Sequence, residues 1–260
     1  DWLVKDLIPQ GLYSLVIGPP GSYKSWLVEQ LAVCCILGIP FLGSEGLVTK
    51  KGPVVFIDED TSTDVLTDRL KRLSYNNDGW MNIDLRSMTG FRLDRNTGLL
   101  VQEIEKLYSP LVIIDCLVKV LGSWGPDRSK DAIEASEKIH KIRDAGATVI
   151  ATLHESTKKQ GDQRPKNRNS AAMNSTYLIT HADSELFTER LSESSPIFKI
   201  TPSEKRVKLM SQTLDIEVRD YPEGTSLISL EEIGMKPSWA AILLFRHFYH
   251  TSKGQSGITV

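Results

Sequence analysis

Four stretches of the chain are nearly continuous in apolar residues and too short for buried helices: Leu12–Ile17, Pro53–Ile57, Leu111–Ile114 and Ala147–Leu153. Runs of this kind, lacking a polar residue at every second position, predict strands buried on both faces, as in a parallel sheet covered by helices. The first three each lead into a helical pattern. Helices are predicted over Lys24–Leu37, from about Ser62 (with Ser62 or Thr63 as cap) through Arg69 to Leu73, and from about Lys130 to Ala145, where Gly146 supplies a stop. A shorter strand at Ile83–Met88 and a helix at about Thr97–Tyr108 fall between the second and third units. Beyond residue 175 the apolar runs become short and closely spaced: Tyr177–Thr180, Ile197–Thr201, Val207–Ser211, Leu214–Arg219 and Ser226–Leu230, with turns such as Pro222-Glu223-Gly224 between them. These predict antiparallel hairpins that extend the sheet. A last helix is predicted at about Pro237–Tyr249, with an apolar stripe at Trp239, Ile242, Leu243, Phe245, Phe248 and Tyr249. Residues 254–260 then read as the turn into a second helix. The division expected is a nucleotide-binding α/β domain over 1–235 and a helical segment over 236–260, either the start of a helix-turn-helix or winged-helix module or a simple packing helix.

The composition admits this picture and narrows it. At 260 residues, with 40% hydrophobic and 25% charged positions, the chain can bury a full core. A net charge of −2 offers no global basic field for nucleic acid, so any such contact must be local. Cys34, Cys35 and Cys116 all lie in apolar runs and are odd in number, which suits reduced core residues better than a disulfide framework. No stretch reaches the length of a membrane span, since Glu29 and Gln30 interrupt the longest apolar run, and no signal peptide is visible. A cytoplasmic protein without membrane contact is expected. Because the chain starts at Asp1 without Met and stops at Val260 as a new pattern begins, it is expected to be a piece of something longer.

Chemistry enters at Gly18-Pro19-Pro20-Gly21-Ser22-Tyr23-Lys24-Ser25, followed by Trp26, between the first strand and the first helix. This is close to the phosphate-binding pattern GxxxxGK[ST], with Tyr23 where glycine is usual. Helix N-terminal N–H groups suit phosphates, Lys24 would reach the β- and γ-phosphates of ATP, and the Ser25 hydroxyl would ligate Mg²⁺. The plain alternative is a Gly/Pro turn that merely caps a helix. Further on, Leu111–Ile114 ends in Asp115, so a buried strand delivers one carboxylate toward the same loop, where it can hold Mg²⁺. Many ATPases place a water-activating glutamate directly after this aspartate. Cys116 stands there, and a thiol cannot act as base for water. The base is therefore expected from the end of the second strand, Asp58-Glu59-Asp60. Glu59 has the longer reach and Asp60 is the close competitor. His154, just after the fourth apolar strand, is placed to sense the γ-phosphate, the alternative being an ordinary surface histidine.

These residues in this order resemble the RecA-like AAA-domain ATPases of the hexameric replicative-helicase type, related to plasmid RepA and DnaB helicases and common in phages, plasmids and mobile elements. The resemblance covers roughly residues 2–235 and rests on Gly18–Ser25 with Trp26, Gly38–Gly43, Val54–Asp60, Arg69-Leu70, Leu111–Asp115 and Gly146–Ile150 leading to His154. The family includes P-loops of the Tyr-Lys-Ser-Trp form and takes its catalytic carboxylate from the second strand; the spacing to Arg69-Leu70 leaves Glu59 and Asp60 both open. Many relatives have two histidines where this chain has His154-Glu155.

The resemblance implies a RecA-like P-loop NTPase fold, a mostly parallel sheet flanked by helices with antiparallel strands at its C-terminal side. It also implies ATP and Mg²⁺, a homo-oligomeric ring, most simply a hexamer, and a replicative-helicase motor working on single-stranded DNA. A primase or another replication protein would be a further partner. The family's DNA-gripping loops correspond here to two regions. Leu121–Asp131 offers Trp124, Arg128 and Lys130; Ser156–Ser170 offers Lys158, Lys159, Arg164, Lys166 and Arg168 against Asp162 alone. A cation reaching the neighbouring subunit's γ-phosphate would come from Lys205, Arg206 or Lys208. Competing readings are an ATP-dependent regulatory switch, a recombinase or helicase loader that unwinds nothing, and a small-molecule kinase with residues 158–168 as a lid.

Overall fold

A computed structural model describes residues 1–121, 128–154, 176–204 and 206–230. A small antiparallel pair, β1 (Trp2–Val4) and β2 (Ile8–Pro9), precedes the main sheet. The sheet's strands are β3 (Tyr13–Gly18), β4 (Val54–Asp58), β5 (Asp84–Ser87), β6 (Leu111–Asp115), β7 (Thr148–His154), β8 (Ser184–Arg190), β9 (Ile197–Glu204), β10 (Leu214–Tyr221) and β11 (Gly224–Ser229), in the order β11-β10-β9-β8-β3-β7-β6-β4-β5. From β8 to β5 every pairing is parallel; β9, β10 and β11 follow antiparallel. The helices are α1 (Lys24–Leu37), α2 (Thr63–Leu73), α3 (Leu93–Ile104), α4 (Leu117–Val120), α5 (Arg128–Asp144) and α6 (Thr176–His181).

Period-two alternation divides the apolar strands between two cores. Val16, Val54, Phe56, Leu111, Ile113 and Ile150 face α1, α2 and the antiparallel strands. Tyr13, Leu15, Ile17, Val55, Ile57, Val112, Ile114, Val149 and Leu153 face α3, α4, α5 and α6. Both faces are covered, which is why these strands read as continuous apolar runs. All parallel strands end on one edge, and the register sets Asp58 beside Asp115 and Gly18 beside His154.

Helix α1 matches its predicted bounds and stops where Gly38 turns left-handed (φ 73°), its N–H returning to the Cys34 carbonyl at 2.8 Å. The two polar residues in its middle, Glu29 and Gln30, are buried and do structural work. Gln30 donates to the Leu227 carbonyl of β11 at 3.0 Å. Glu29 is paired with Arg69 of α2 at 3.1 Å, and that guanidinium lies over the Trp26 ring, 5.3 Å from its centre. The antiparallel strands thus curl back onto α1 and α2. At the tightest approach a Cβ on Gly224 would stand 2.3 Å from the Arg72 carbonyl oxygen.

Several expected elements differ. Residues 177–180 lie in helix α6 rather than in a strand, and 207–211 form no strand; Met210 instead donates its N–H to the Asp6 carbonyl at 2.8 Å. Helix α3 begins four residues before Thr97, because Thr97 is an interior position whose hydroxyl bonds back to the Leu93 carbonyl at 2.5 Å. Strand β8 escapes the apolar pattern altogether. Its buried Ser184 and Thr188 are satisfied by Ser14 and Ser22, hydroxyl to hydroxyl, each at 2.7 Å. Ser62 holds the N-cap position of α2 without a side-chain cap bond. The helix expected at 237–249 and the turn after it lie outside the described residues.

Burial pushes the Glu29 carboxyl up to about 8, with Arg69 opposing. Burial prevails because Glu29 is fully enclosed, whereas 27% of the Arg69 side chain is exposed. The folded chain then holds a proton that the unfolded chain releases, so stability falls as pH rises from the ordinary carboxyl range to about 8. Glu29→Gln keeps the shape and removes the titration. Denaturant melts should show the variant similar to the wild type near about pH 5 and more stable by on the order of 2 kcal/mol above about pH 8.

Candidate active site

The β3–α1 loop is built around backbone that tolerates little. A Cβ on Gly18 would stand 2.3 Å from Thr188 Oγ1 and 2.4 Å from the Thr188 carbonyl oxygen, so this position must lack a side chain. Ser22 closes the turn onto the Pro19 carbonyl (3.3 Å) and hydrogen-bonds Thr188. Lys24 is buried, its ammonium donating to the carbonyls of Gly18 (2.9 Å) and Pro19 (2.7 Å) and to Ser22 Oγ (3.4 Å). Ser25 and Trp26 follow, half-buried, in the first turn of α1; Pro20 and Gly21 are exposed at the loop's crest.

Tyr23, in the glycine position of the usual pattern, takes the left-handed conformation that glycine would take (φ 62°). A side chain there costs on the order of 1–2 kcal/mol. The ring offsets this by packing away from the loop, with its centre 5.3 Å from that of Phe198 and the Arg190 guanidinium stacked 4.7 Å above it. Arg190 also donates to the Ser195 carbonyl at 2.8 and 3.2 Å, so the loop is moored to the β8–β9 hairpin.

Two carboxylates meet where β4 and β6 end. Asp58 and Asp115 are register partners and both buried. Asp58 Oδ1 accepts the N–H groups of Asp60 (2.7 Å) and Thr61 (2.8 Å), and Asp115 Oδ1 accepts from Thr152 Oγ1. The second oxygen of each is buried without a hydrogen-bond partner. Burial, then the neighbouring Asp115, pushes the Asp58 carboxyl up to about 6. Two orphaned anionic oxygens side by side, next to a loop that can bind phosphate, fit a hard divalent cation such as Mg²⁺.

The two acids after β4 have separate placements. Glu59 accepts four hydrogen bonds, from the N–H groups of Thr89, Gly90 and Phe91 (3.0 Å each) and from Thr89 Oγ1 (2.8 Å). It is thereby bound to the loop before α3. Asp60 turns instead toward β6, its Oδ1 2.9 Å from Lys119 Nζ on α4. His154 is held below its ordinary pKa by burial and the Lys24 charge, while Asp115 and Asp60 oppose. The charges of Lys24, Asp60 and Asp115 all act on His154, so these four groups border one region. Cys116 is buried, its thiol pushed up to about 11, which leaves it unionised at neutral pH.

Sequence reasoning passed over Thr152, Thr188, Arg190 and Lys119. Lys119 alone left a signal, a cation four residues after Asp115; the others lie in strands whose pairing no local pattern reveals. Of the candidate finger cations, Arg206 is engaged with Asp183 at 3.2 Å and Lys208 is exposed; Lys205 lies outside the described residues. So do Trp124, Lys158, Lys159, Arg164, Lys166 and Arg168. Arg128 starts α5. Among the described residues, no helix is long and apolar enough to cross a membrane.

Residues 1–161 match the family described as "AAA domain". The solved ATPase domain of G40P superposes with a TM-score of 0.62 at 18% identity, over 85% of this chain and 85% of that one. A DnaB-like replicative helicase, solved for its interactions with primase, gives a TM-score of 0.63 at 16% identity over 85% of this chain, which spans 58% of that longer protein. Both likenesses are of fold. No curated protein matches the chain.

Removing the Tyr23 ring separates its strain from its anchorage. Tyr23→Ala keeps the left-handed cost and loses the stacking, so it should destabilise by about 2 kcal/mol; Tyr23→Gly relieves the strain and should lie roughly 1 kcal/mol above Tyr23→Ala in urea denaturation.

Proposed function

The chain belongs to the AAA-domain family and is a P-loop ATPase with a RecA-like fold, and from that premise we propose that it is a Mg²⁺-dependent motor that forms a ring, most simply a hexamer, and translocates on single-stranded DNA as a replicative helicase. The observation behind this reading is the convergence of the P-loop, the Asp58/Asp115 pair, Asp60 and His154 on one sheet edge. The likeness in fold to the G40P ATPase domain and to a DnaB-like replicative helicase supports the motor and its ring, and the interaction with primase named for the latter makes primase a partner worth testing.

In this reading the amides at the start of α1 and the Lys24 ammonium bind the triphosphate. Ser25 and Asp115 would hold Mg²⁺, which would supply charge neutralisation at the phosphates. Asp60 orients the attacking water and takes its proton, as the water oxygen bonds to the γ-phosphorus and the bond to the β-phosphate oxygen of the leaving ADP breaks. Asp60 is preferred to Glu59 because the Glu59 carboxylate is committed to the 89–91 backbone, whereas Asp60 shares the charge environment of Lys24 and Asp115. His154, kept neutral, can bond a phosphate oxygen. DNA contact is assigned to residues 121–131 and 156–170, and the cation acting across the subunit boundary to Lys205 or Lys208.

Turnover of ATP, with and without single-stranded DNA, tests the reading. Single-stranded DNA should stimulate hydrolysis. Asp60→Asn should lower kcat by ~10²–10³-fold, while Glu59→Gln stays within about fivefold and loses ~1–2 kcal/mol of stability. Slow, DNA-indifferent hydrolysis would favour a regulatory switch, and phosphate transfer to a metabolite a kinase. Unchanged nucleotide affinity and turnover in Lys24→Ala would remove the site altogether.

A further inference from the structure

Of the three acids at the end of β4 and just after it, Asp58 commits one oxygen to the N–H groups of its own turn and Glu59 commits both oxygens to residues 89–91. The backbone of Asp60 is fixed by the Asp58 turn, so what remains free is its side-chain torsion. Lys119 restricts that freedom. Its ammonium reaches across from the segment after β6 to Asp60 Oδ1 at 2.9 Å.

The ammonium is presented from a firm base. Leu117 and Val120, on either side of Lys119 in α4, are fully buried in the core on the α3 and α5 face, and the Lys119 N–H closes onto the Cys116 carbonyl at 3.0 Å. The side chain itself points outward, 53% exposed, against a carboxylate that is 43% exposed. An ion pair this exposed contributes little to stability, ~0–1 kcal/mol. Its effect is on geometry, since it engages one carboxylate oxygen, Oδ1. A group that orients water must be placed to a fraction of an ångström, since a displacement of about 1 Å can cost ~10²-fold in rate. Lys119 also belongs to the set of charges felt at His154, together with Lys24, Asp115 and Asp60, so the pair sits at the nucleotide edge and not elsewhere on the surface.

We propose that Lys119 is a positioning residue for hydrolysis, holding Oδ1 of Asp60 so that Oδ2 is presented to the attacking water. The inference rests on the assignment of Asp60 as the water-orienting acid. Lys119 acts through Asp60 and touches neither nucleotide nor metal.

A double-mutant cycle on the full chain reads this directly, with steady-state and single-turnover ATP hydrolysis as the measurements. Lys119→Ala should lower kcat about tenfold with KM for ATP within about twofold, and Lys119→Arg should restore most of the loss. In an Asp60→Ala background, Lys119→Ala should cost nothing further, because the group it positions is gone. An equal loss in both backgrounds would mean that Lys119 contacts phosphate independently and would overturn the proposal. So would an unchanged or raised kcat, or a loss confined to KM. Failure of the underlying assignment is separate: it would show as full activity in Asp60→Asn, whatever Lys119 does.

Discussion

Burial of the parallel strands on both faces is the constraint from which the rest of the molecule follows. With helices above and below, the backbone of β3, β4, β6 and β7 can satisfy its polar groups only within the sheet, and parallel pairing then fixes where every strand ends. The four strand ends come from positions 18, 58, 115 and 154, far apart in the chain, yet they lie on one edge because the register allows nothing else. The Asp58 and Asp115 carboxylates become neighbours in this way, at the cost of two like charges in a buried place. A divalent cation would offset that repulsion, and the two unpartnered carboxylate oxygens suit one.

The phosphate loop depends on a second, smaller set of contacts that join it to the antiparallel side of the sheet. Ser22 meets Thr188, Gly18 abuts the Thr188 backbone, and Tyr23 is stacked between Phe198 and Arg190. A glycine in place of Tyr23 would adopt the required backbone at no cost but would lose the ring's stacking on Phe198 and Arg190. The tyrosine exchanges local strain for attachment. Strands β8 and β9 thereby become part of the nucleotide site, although neither supplies a residue to the P-loop or the acidic edge.

The acids after β4 illustrate how three adjacent carboxylates are given different chemistry by their surroundings. Asp58 points inward and shapes the turn, Glu59 binds the loop before α3, and Asp60 faces Lys119 and the nucleotide edge. Side-chain length would have favoured Glu59 for catalysis. Its hydrogen-bond partners speak against that role, since a carboxylate surrounded by four donors has little capacity left to order a water.

Much of this was legible in the chain alone. Apolar runs ending in glycine, aspartate or histidine identified β3, β4, β6 and β7 within a residue or two, and the glycine-rich loop with the helix behind it located Lys24 and Ser25. Both signals are local: a doubly buried strand must be apolar throughout, and a phosphate loop must have its lysine at the start of a helix. What the sequence could not determine depended on partners distant along the chain. Strand β8 is hidden because its buried hydroxyls are satisfied by Ser14 and Ser22, roughly 170 residues away in sequence. The burial of Glu29 against Arg69, the mooring of Tyr23 and the different partners of Glu59 and Asp60 were decided by tertiary structure, because a polar side chain's surroundings are set by which donors and acceptors the fold brings to it.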